Sequence, residues 1–163
     1  MWSKNEWAQH LQNLTTASIH APRESTNQGP VIRRAAAEMG FKVFELGGEK
    51  LQSKEALLDG LAAAMAFPGY FGRNWDALLD CMRDLSWCPS PGYVLFLDHA
   101  EELLGDAPEA FMTFVEIASQ AGDDWRSKGV PFHLICEGDN SVLTVLTALP
   151  DTPVCNCMLA RDS

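Results

Sequence analysis

The sequence predicts an α/β fold: a small three-stranded parallel sheet flanked by helices, with an N-terminal extension in front of it. Three short apolar runs supply the strands: Phe41–Leu46, Tyr93–Leu97 (YVLFL) and Phe132–Cys136 (FHLIC). Continuous apolar runs of this length are expected of strands buried on both faces, as in a parallel sheet. Each gap between them holds segments with apolar residues at helical spacing, the crossovers that parallel strands require.

Taken in order, Trp2–Leu14 has Trp7, Leu11 and Leu14 at helical spacing and predicts a short helix. Ala17–His20 is compatible with a brief strand, and Ala21–Pro30 (APRESTNQGP) with a loop rich in turn formers. Val31–Met39 predicts a helix stopped at Gly40. After the Phe41–Leu46 strand, closed by Gly47 and Gly48, Ser53 is a favourable N-cap. It opens a helix whose face is Ala56, Leu57, Leu61, Ala64 and Met65, ending before Pro68. A second helix starts at Asn74. Pro89–Gly92 is a turn into the central strand, His99–Leu104 a short helix, and Pro108 to about Arg126 a long one with Phe111, Phe114, Val115 and Ala118 as its apolar face. Gly129 precedes the last strand, Val142–Leu149 adds a helix, and a tail follows from Asp151. The expected organisation is an N-terminal extension over residues 1–40, a central domain over 41–138, and a C-terminal helix and tail over 139–163.

With 163 residues, 47% of them hydrophobic and 21% charged, the chain suits one globular domain with a real core. Its net charge of -10 is unevenly placed. From Asn74 to Asp124 there are eleven acidic residues against one Arg, whereas residues 1–73 hold eight Lys and Arg against seven acids. A negative field in the middle of the chain argues against direct contact with nucleic acid or anionic lipid and favours a basic partner. No run approaches a membrane span. The N-terminus lacks the apolar core of a signal peptide, and five cysteines without a framework read as reduced thiols, so a cytoplasmic location is expected.

The field concentrates in Phe67–Trp87, FPGYFGRNWDALLDCMRDLSW. At about 100° per residue, Trp75, Leu78, Leu79, Met82 and Leu85 fall on one side of the predicted helix, and Asp76, Asp80, Arg83 and Asp84 on the other. Carboxylates spaced by four residues repel by a few tenths of a kcal/mol per pair. A charged helix back is ordinarily a solvated face. Here it is nearly all acid, and the turn before it offers Tyr70 and Phe71 beside the acids, which suits a protein interface.

The stretch YFGRNWDALLDC, Tyr70–Cys81, closely resembles the central motif of the barstar family of intracellular ribonuclease inhibitors. The resemblance covers roughly Phe41–Glu137 and is stronger still to longer bacterial barstar-like proteins, which have counterparts of WDALLDCMRDLSW and GVPFHLI. It implies a barstar-like fold and a proteinaceous inhibitor, not an enzyme, that blocks the active site of a basic extracellular-type ribonuclease or related nuclease. By that resemblance Asp80 is the central carboxylate, seated where substrate phosphate would sit, with Asp76 beside it. Tyr70, Gly72, Asn74 and Leu79 line the same contact, and Glu116 on the later long helix adds a further acid. Leu79 stands where the family has an aromatic residue and Arg73 where it has an acid, so specificity is expected to differ there.

Two other readings follow from the same residues. One keeps the fold but gives it a non-nuclease basic partner, as a regulatory interaction protein. The other is a phosphoesterase in which Asp76, Asp80 and Glu116 hold a divalent cation. No catalytic residue, cofactor or metal site is otherwise expected. His99 and His133 are isolated in sequence and read as structural, Cys81 as a packing thiol and Trp125 as a core anchor. Cys155-Asn156-Cys157 lacks a second Cys/His pair at zinc spacing, and no Gly-rich phosphate loop follows a strand.

Overall fold

The computed structural model describes residues 2–22 and 27–155. Cys157, part of the expected Ala21–Pro30 loop and most of the expected tail lie outside the described residues. Four strands form one parallel sheet: β1 (Ile19–His20), β2 (Lys42–Gly47), β3 (Tyr93–Asp98) and β4 (Phe132–Cys136), in the spatial order β1-β4-β3-β2. The helices are α1 (Lys4–Gln12), α2 (Gly29–Glu38), α3 (Lys54–Ala64), α4 (Trp75–Asp84), α5 (Ala100–Asp106), α6 (Pro108–Ser127) and α7 (Asn140–Ala148), with a 3₁₀ turn at Gly48–Lys50.

The expected sheet of three strands is therefore one strand short. The missing member is the brief Ala17–His20 segment, which pairs Ile19 with Leu134 and His20 with Ile135. Two residues are too few for a period to show in sequence, and their pairing with β4 fixes them instead. A second difference concerns Phe41–Leu46, expected to be buried. It forms the far edge of the sheet, and its Lys42 and Glu45 face solvent.

Alternation along the strands builds two apolar layers. On β3, Tyr93, Leu95 and Leu97 join the core formed with α3, α4, α5, α6 and α7, while Val94 and Phe96 point the other way. That other face is covered by α1 and α2 through Trp7, Leu11, Ile32, Ala35 and Ala36. A central strand buried on both sides explains the unbroken run YVLFL. Residues before Phe41 thus supply one whole layer of the molecule. Trp7 anchors it, fully buried with its indole N–H donating to Gln28 Oε1 at 2.8 Å. Gly40 closes α2 at φ +75°, a conformation that costs an L side chain energy and glycine nothing.

Candidate functional site

The loop from Ala66 to Asn74 and helix α4 lie on the side of the sheet opposite α1 and α2, and the loop is tethered at several points. Phe71 N–H donates to Pro68 O at 3.0 Å, closing a turn over Gly69 and Tyr70. The Phe71 ring does not project, as the sequence suggested, but packs on Phe67 with centroids 4.9 Å apart. Phe67 in turn meets Trp87 edge-on at 6.0 Å, and the Trp87 indole N–H donates to Met65 O at 3.0 Å. Half-buried against the core beneath, these rings support the turn, and Tyr70 at its tip is 73% exposed.

Helix α4 begins as the sequence predicts. Asn74 Oδ1 accepts from Ala77 N–H at 2.8 Å, and its Nδ2 donates to Gly72 O at 3.3 Å, so one side chain caps the helix and holds the turn. Arg73, just before the cap, sits at φ +54°. Its guanidinium is engaged by Asp59 of α3 through two hydrogen bonds, Nε to Oδ1 at 2.8 Å and Nη2 to Oδ2 at 3.0 Å. The cation that stood out in sequence on an otherwise acidic rim is thus neutralised by a carboxylate fourteen residues upstream.

Leu78, Cys81 and Met82 bury the inner side of α4, which leans on α6. Trp125 fastens the two helices, donating to Met82 O at 2.7 Å, and Arg83 lies 3.9 Å from Asp124. Burial, with Asp80 and Asp84 nearby, pushes the Cys81 thiol up, so it stays protonated as a packing group. Leu85 ends the helix in the left-handed conformation at φ +48°. On the outer side Asp76, Asp80, Arg83 and Asp84 are exposed and Leu79 is half-buried. Among the described residues no cation lies within ion-pair distance of Asp76 or Asp80. Asp76 lies in the first turn, where the helix dipole favours it.

Tyr70, Gly72, Asn74, Asp76, Leu79 and Asp80 therefore belong to one short continuous segment. Glu116 stands apart. It is half-buried on α6, in a groove with Ser119, Gln120, Asp123 and Pro150–Thr152. Among the described residues Asp76, Asp80 and Glu116 do not converge on a common point.

The histidines are less isolated than their sequence positions suggest. His99, at φ +47°, has Glu49 and Glu102 beside it on the surface. Slight desolvation lowers its pKa, but Asp98, Glu49, Glu101 and Glu102 outweigh that and leave it raised. His133 is buried on the α1 side of the sheet, with Nε2 2.8 Å from Leu11 O and Nδ1 2.9 Å from His20 Nε2. Burial, followed by the nearby His20, holds its pKa at about 3, so the ring is neutral. Those contacts join β4 to β1 and α1, the structural role expected of it, though only the fold brings the partners together.

A family model described as Barstar (barnase inhibitor) matches residues 41–137, more than half of the chain. No curated relative matches the sequence. Solved structures of similar shape include Cdc6p from Pyrobaculum aerophilum, at 20% identity and a TM-score of 0.54, covering 82% of this chain and 35% of that one. The ORC2 protein of Aeropyrum pernix follows at 11% identity and 0.63, covering 93% and 45%. A Walker-type ATPase of Pyrococcus abyssi is similar at 11% and 0.55, covering 94% and 50%. This chain spans half or less of each of those chains, and at such identities the likeness is one of fold. The sequence contains no Gly-x₄-Gly-Lys-Ser/Thr stretch of the kind that cradles nucleotide phosphates.

Proposed function

This chain belongs to the Barstar family, and we propose that it is a protein inhibitor acting in the cytoplasm, with no catalysis of its own. It occludes the basic active site of a ribonuclease with the turn at Tyr70 and the outer face of α4. The observation that carries this reading is the pair Asp76 and Asp80, exposed one helical turn apart with no cation at ion-pair distance among the described residues, behind a turn tethered by hydrogen bonds.

A ribonuclease must gather Arg, Lys and His around a phosphate. A carboxylate offers the same paired acceptor oxygens, and Arg grips it through charge-assisted, bidentate hydrogen bonds. Asp80 is the phosphate mimic in this reading and Asp76 its neighbour on the same basic cluster. Exposed Tyr70 supplies apolar contact with a polar tip, the type of side chain that anchors interfaces. The middle-chain negative charge steers the encounter, and the few carboxylates desolvated in the complex hold it. Asp59 supports the site indirectly, since it cancels the charge of Arg73 that would repel a basic enzyme.

The test is titration of a basic, barnase-type ribonuclease with wild type and with Asp80→Ala, reading both nuclease activity and calorimetric heat. Wild type should inhibit, Asp80→Ala should bind far more weakly, and added salt should slow association of the wild type. Equal inhibition by the two proteins would refute the site. Capture of a different basic protein from the source cell, lost in the Asp76/Asp80 double substitution, would keep the surface but replace the nuclease.

A further inference from the structure

Two neighbouring segments near the N-terminus and one far along the chain meet on the α1 side of the sheet and bring together side chains that the inhibitory surface does not use. His10 comes from α1, His20 from β1, and Cys155 from the segment that follows α7. That last segment is held in register: Val154 bridges Ile19, and Cys155 N–H donates to Ile19 O at 2.7 Å. Cys155 Sγ then lies 3.3 Å from His10 Nε2. One ring nitrogen of each histidine and the sulfur all fall within 4.8 Å of one another.

The hydrogen bonds behind this cluster fix the protons. Leu11 O can only accept, so His133 Nε2 carries the hydrogen and His133 Nδ1 offers a lone pair. His20 Nε2 must therefore be the donor in the 2.9 Å contact to His133. In a neutral His20 ring the proton is then placed, and Nδ1 is left as a bare lone pair. That nitrogen is buried in a residue only 1% exposed and has no hydrogen-bond partner among the described residues. A buried acceptor without a partner is costly, so its presence calls for an occupant.

We propose that His10, His20 and Cys155 bind a zinc-class divalent metal ion, which pins the N-terminal layer and the C-terminal segment to the sheet. Two imidazoles and one thiolate are borderline donors suited to zinc. Metal–nitrogen bonds near 2.0 Å and metal–sulfur bonds near 2.3 Å in a tetrahedron separate N from S by roughly 3.5 Å, close to the His10–Cys155 distance. The carbonyl–His133–His20 relay is the backing that metal-ligating histidines ordinarily have on their far nitrogen, and it orients the ring and raises its basicity. Trp2 and Trp7 shield the site, with ring centroids 4.6 and 5.7 Å from His10. On binding, the Cys155 thiol gives its proton to solvent, one per ion, and water completes the fourth position. All three ligands lie outside residues 41–137, so the ion would bind the added segments to the part of the chain that the family shares.

The experiment uses the full chain, reduced and stripped with chelator, titrated with cobalt(II) and then with zinc(II). We expect one equivalent of cobalt bound, intense tetrahedral visible bands, a near-ultraviolet thiolate-to-cobalt charge-transfer band, and displacement by zinc. Cys155→Ser should abolish the charge-transfer band, and His10→Gln should weaken binding by more than about tenfold. Both positions are half-buried, and circular dichroism verifies that each variant is folded. If wild type takes up no stoichiometric metal, the proposal fails on that protein alone. It fails equally if the charge-transfer band survives Cys155→Ser or if His10→Gln binds as wild type does.

Discussion

His133 should make the metal-free protein sensitive to mild acid. In the unfolded chain its ring takes up a proton near the ordinary histidine value of 6.5, whereas burial in the folded state holds it to about 3. A depressed folded pKa contributes stability that is present above pH 6.5 and is lost as pH falls toward 3. Between pH 7 and pH 5 the unfolded state gains about three-quarters of a proton and the folded state almost none, a loss of about 2 kcal/mol. With a urea slope near 2 kcal/mol per molar, that lowers the unfolding midpoint by roughly 1 M. His99 acts in the opposite sense: its raised folded pKa adds stability at low pH that disappears as pH rises through that pKa. The decisive assay is therefore NMR titration of the His133 ring, alongside urea midpoints at the two pH values in chelator. A His133 ring that titrates between pH 5 and 7 would refute the reasoning, whatever the midpoints do.

Three further outcomes follow from contacts elsewhere. Asp59→Ala should change stability by less than about 1 kcal/mol, because the pair is exposed. It should nevertheless slow association with a basic partner, and the Asp59/Arg73 double alanine should recover most of the rate. Gly72→Ala should leave the melting temperature unchanged, since a Cβ there meets only Asn74 Nδ2 at 3.4 Å and Ala77 Cβ at 3.5 Å, while weakening partner binding measured by calorimetry. Trp7→Ala should cost about 3–5 kcal/mol in denaturant unfolding, because it empties the centre of the α1–α2 layer and leaves Gln28 Oε1 with the Trp2 N–H in place of two donors.

What the sequence showed and what it hid divide along the range of the interactions involved. The helix α4 was legible because its signals are local: Asn74 as cap, carboxylates four apart, and an apolar stripe through Leu78 and Met82. The buried strands β3 and β4 were legible because burial on both faces leaves an unbroken apolar run. β1 was legible only as a possible brief strand at Ala17–His20 and not as a member of the sheet, since two residues carry no period and their place is set by Leu134 and Ile135, over a hundred positions away. Phe71 looked exposed because nothing near it in sequence shows that Phe67 and Trp87 close over the same pocket. Arg73 stood out only as a cation in place of the family's acid, because its partner Asp59 lies on another helix. The metal-site candidates were missed for the same reason. Spacing rules search for ligands that are neighbours in sequence, while Cys155 reaches His10 and His20 only through the bridge of its segment to β1 and the packing of α1.

The two faces of the sheet also divide the physical demands on the chain. On the α4 side, exposed like charges cost a few tenths of a kcal/mol each. That cost is offset by burial beneath them, where Leu78, Met82 and the Phe67–Trp87 cluster fix the backbone that presents them. Fixing it before any partner arrives lowers the ordering entropy lost on binding, which is where a preformed interface gains affinity. The turn should therefore be rigid in the free protein, not folded by its target. Substitution of Trp87 by Leu tests this: it deletes the hydrogen bond to Met65 O and the edge-on contact with Phe67 while leaving Tyr70, Asp76 and Asp80 untouched. Hydrogen exchange at the Pro68–Phe71 turn should accelerate in that variant, and affinity for a ribonuclease should fall mainly through slower association with the competent loop. Unchanged exchange with lost affinity would mean that Trp87 meets the partner directly, and the argument from preorganisation would not stand.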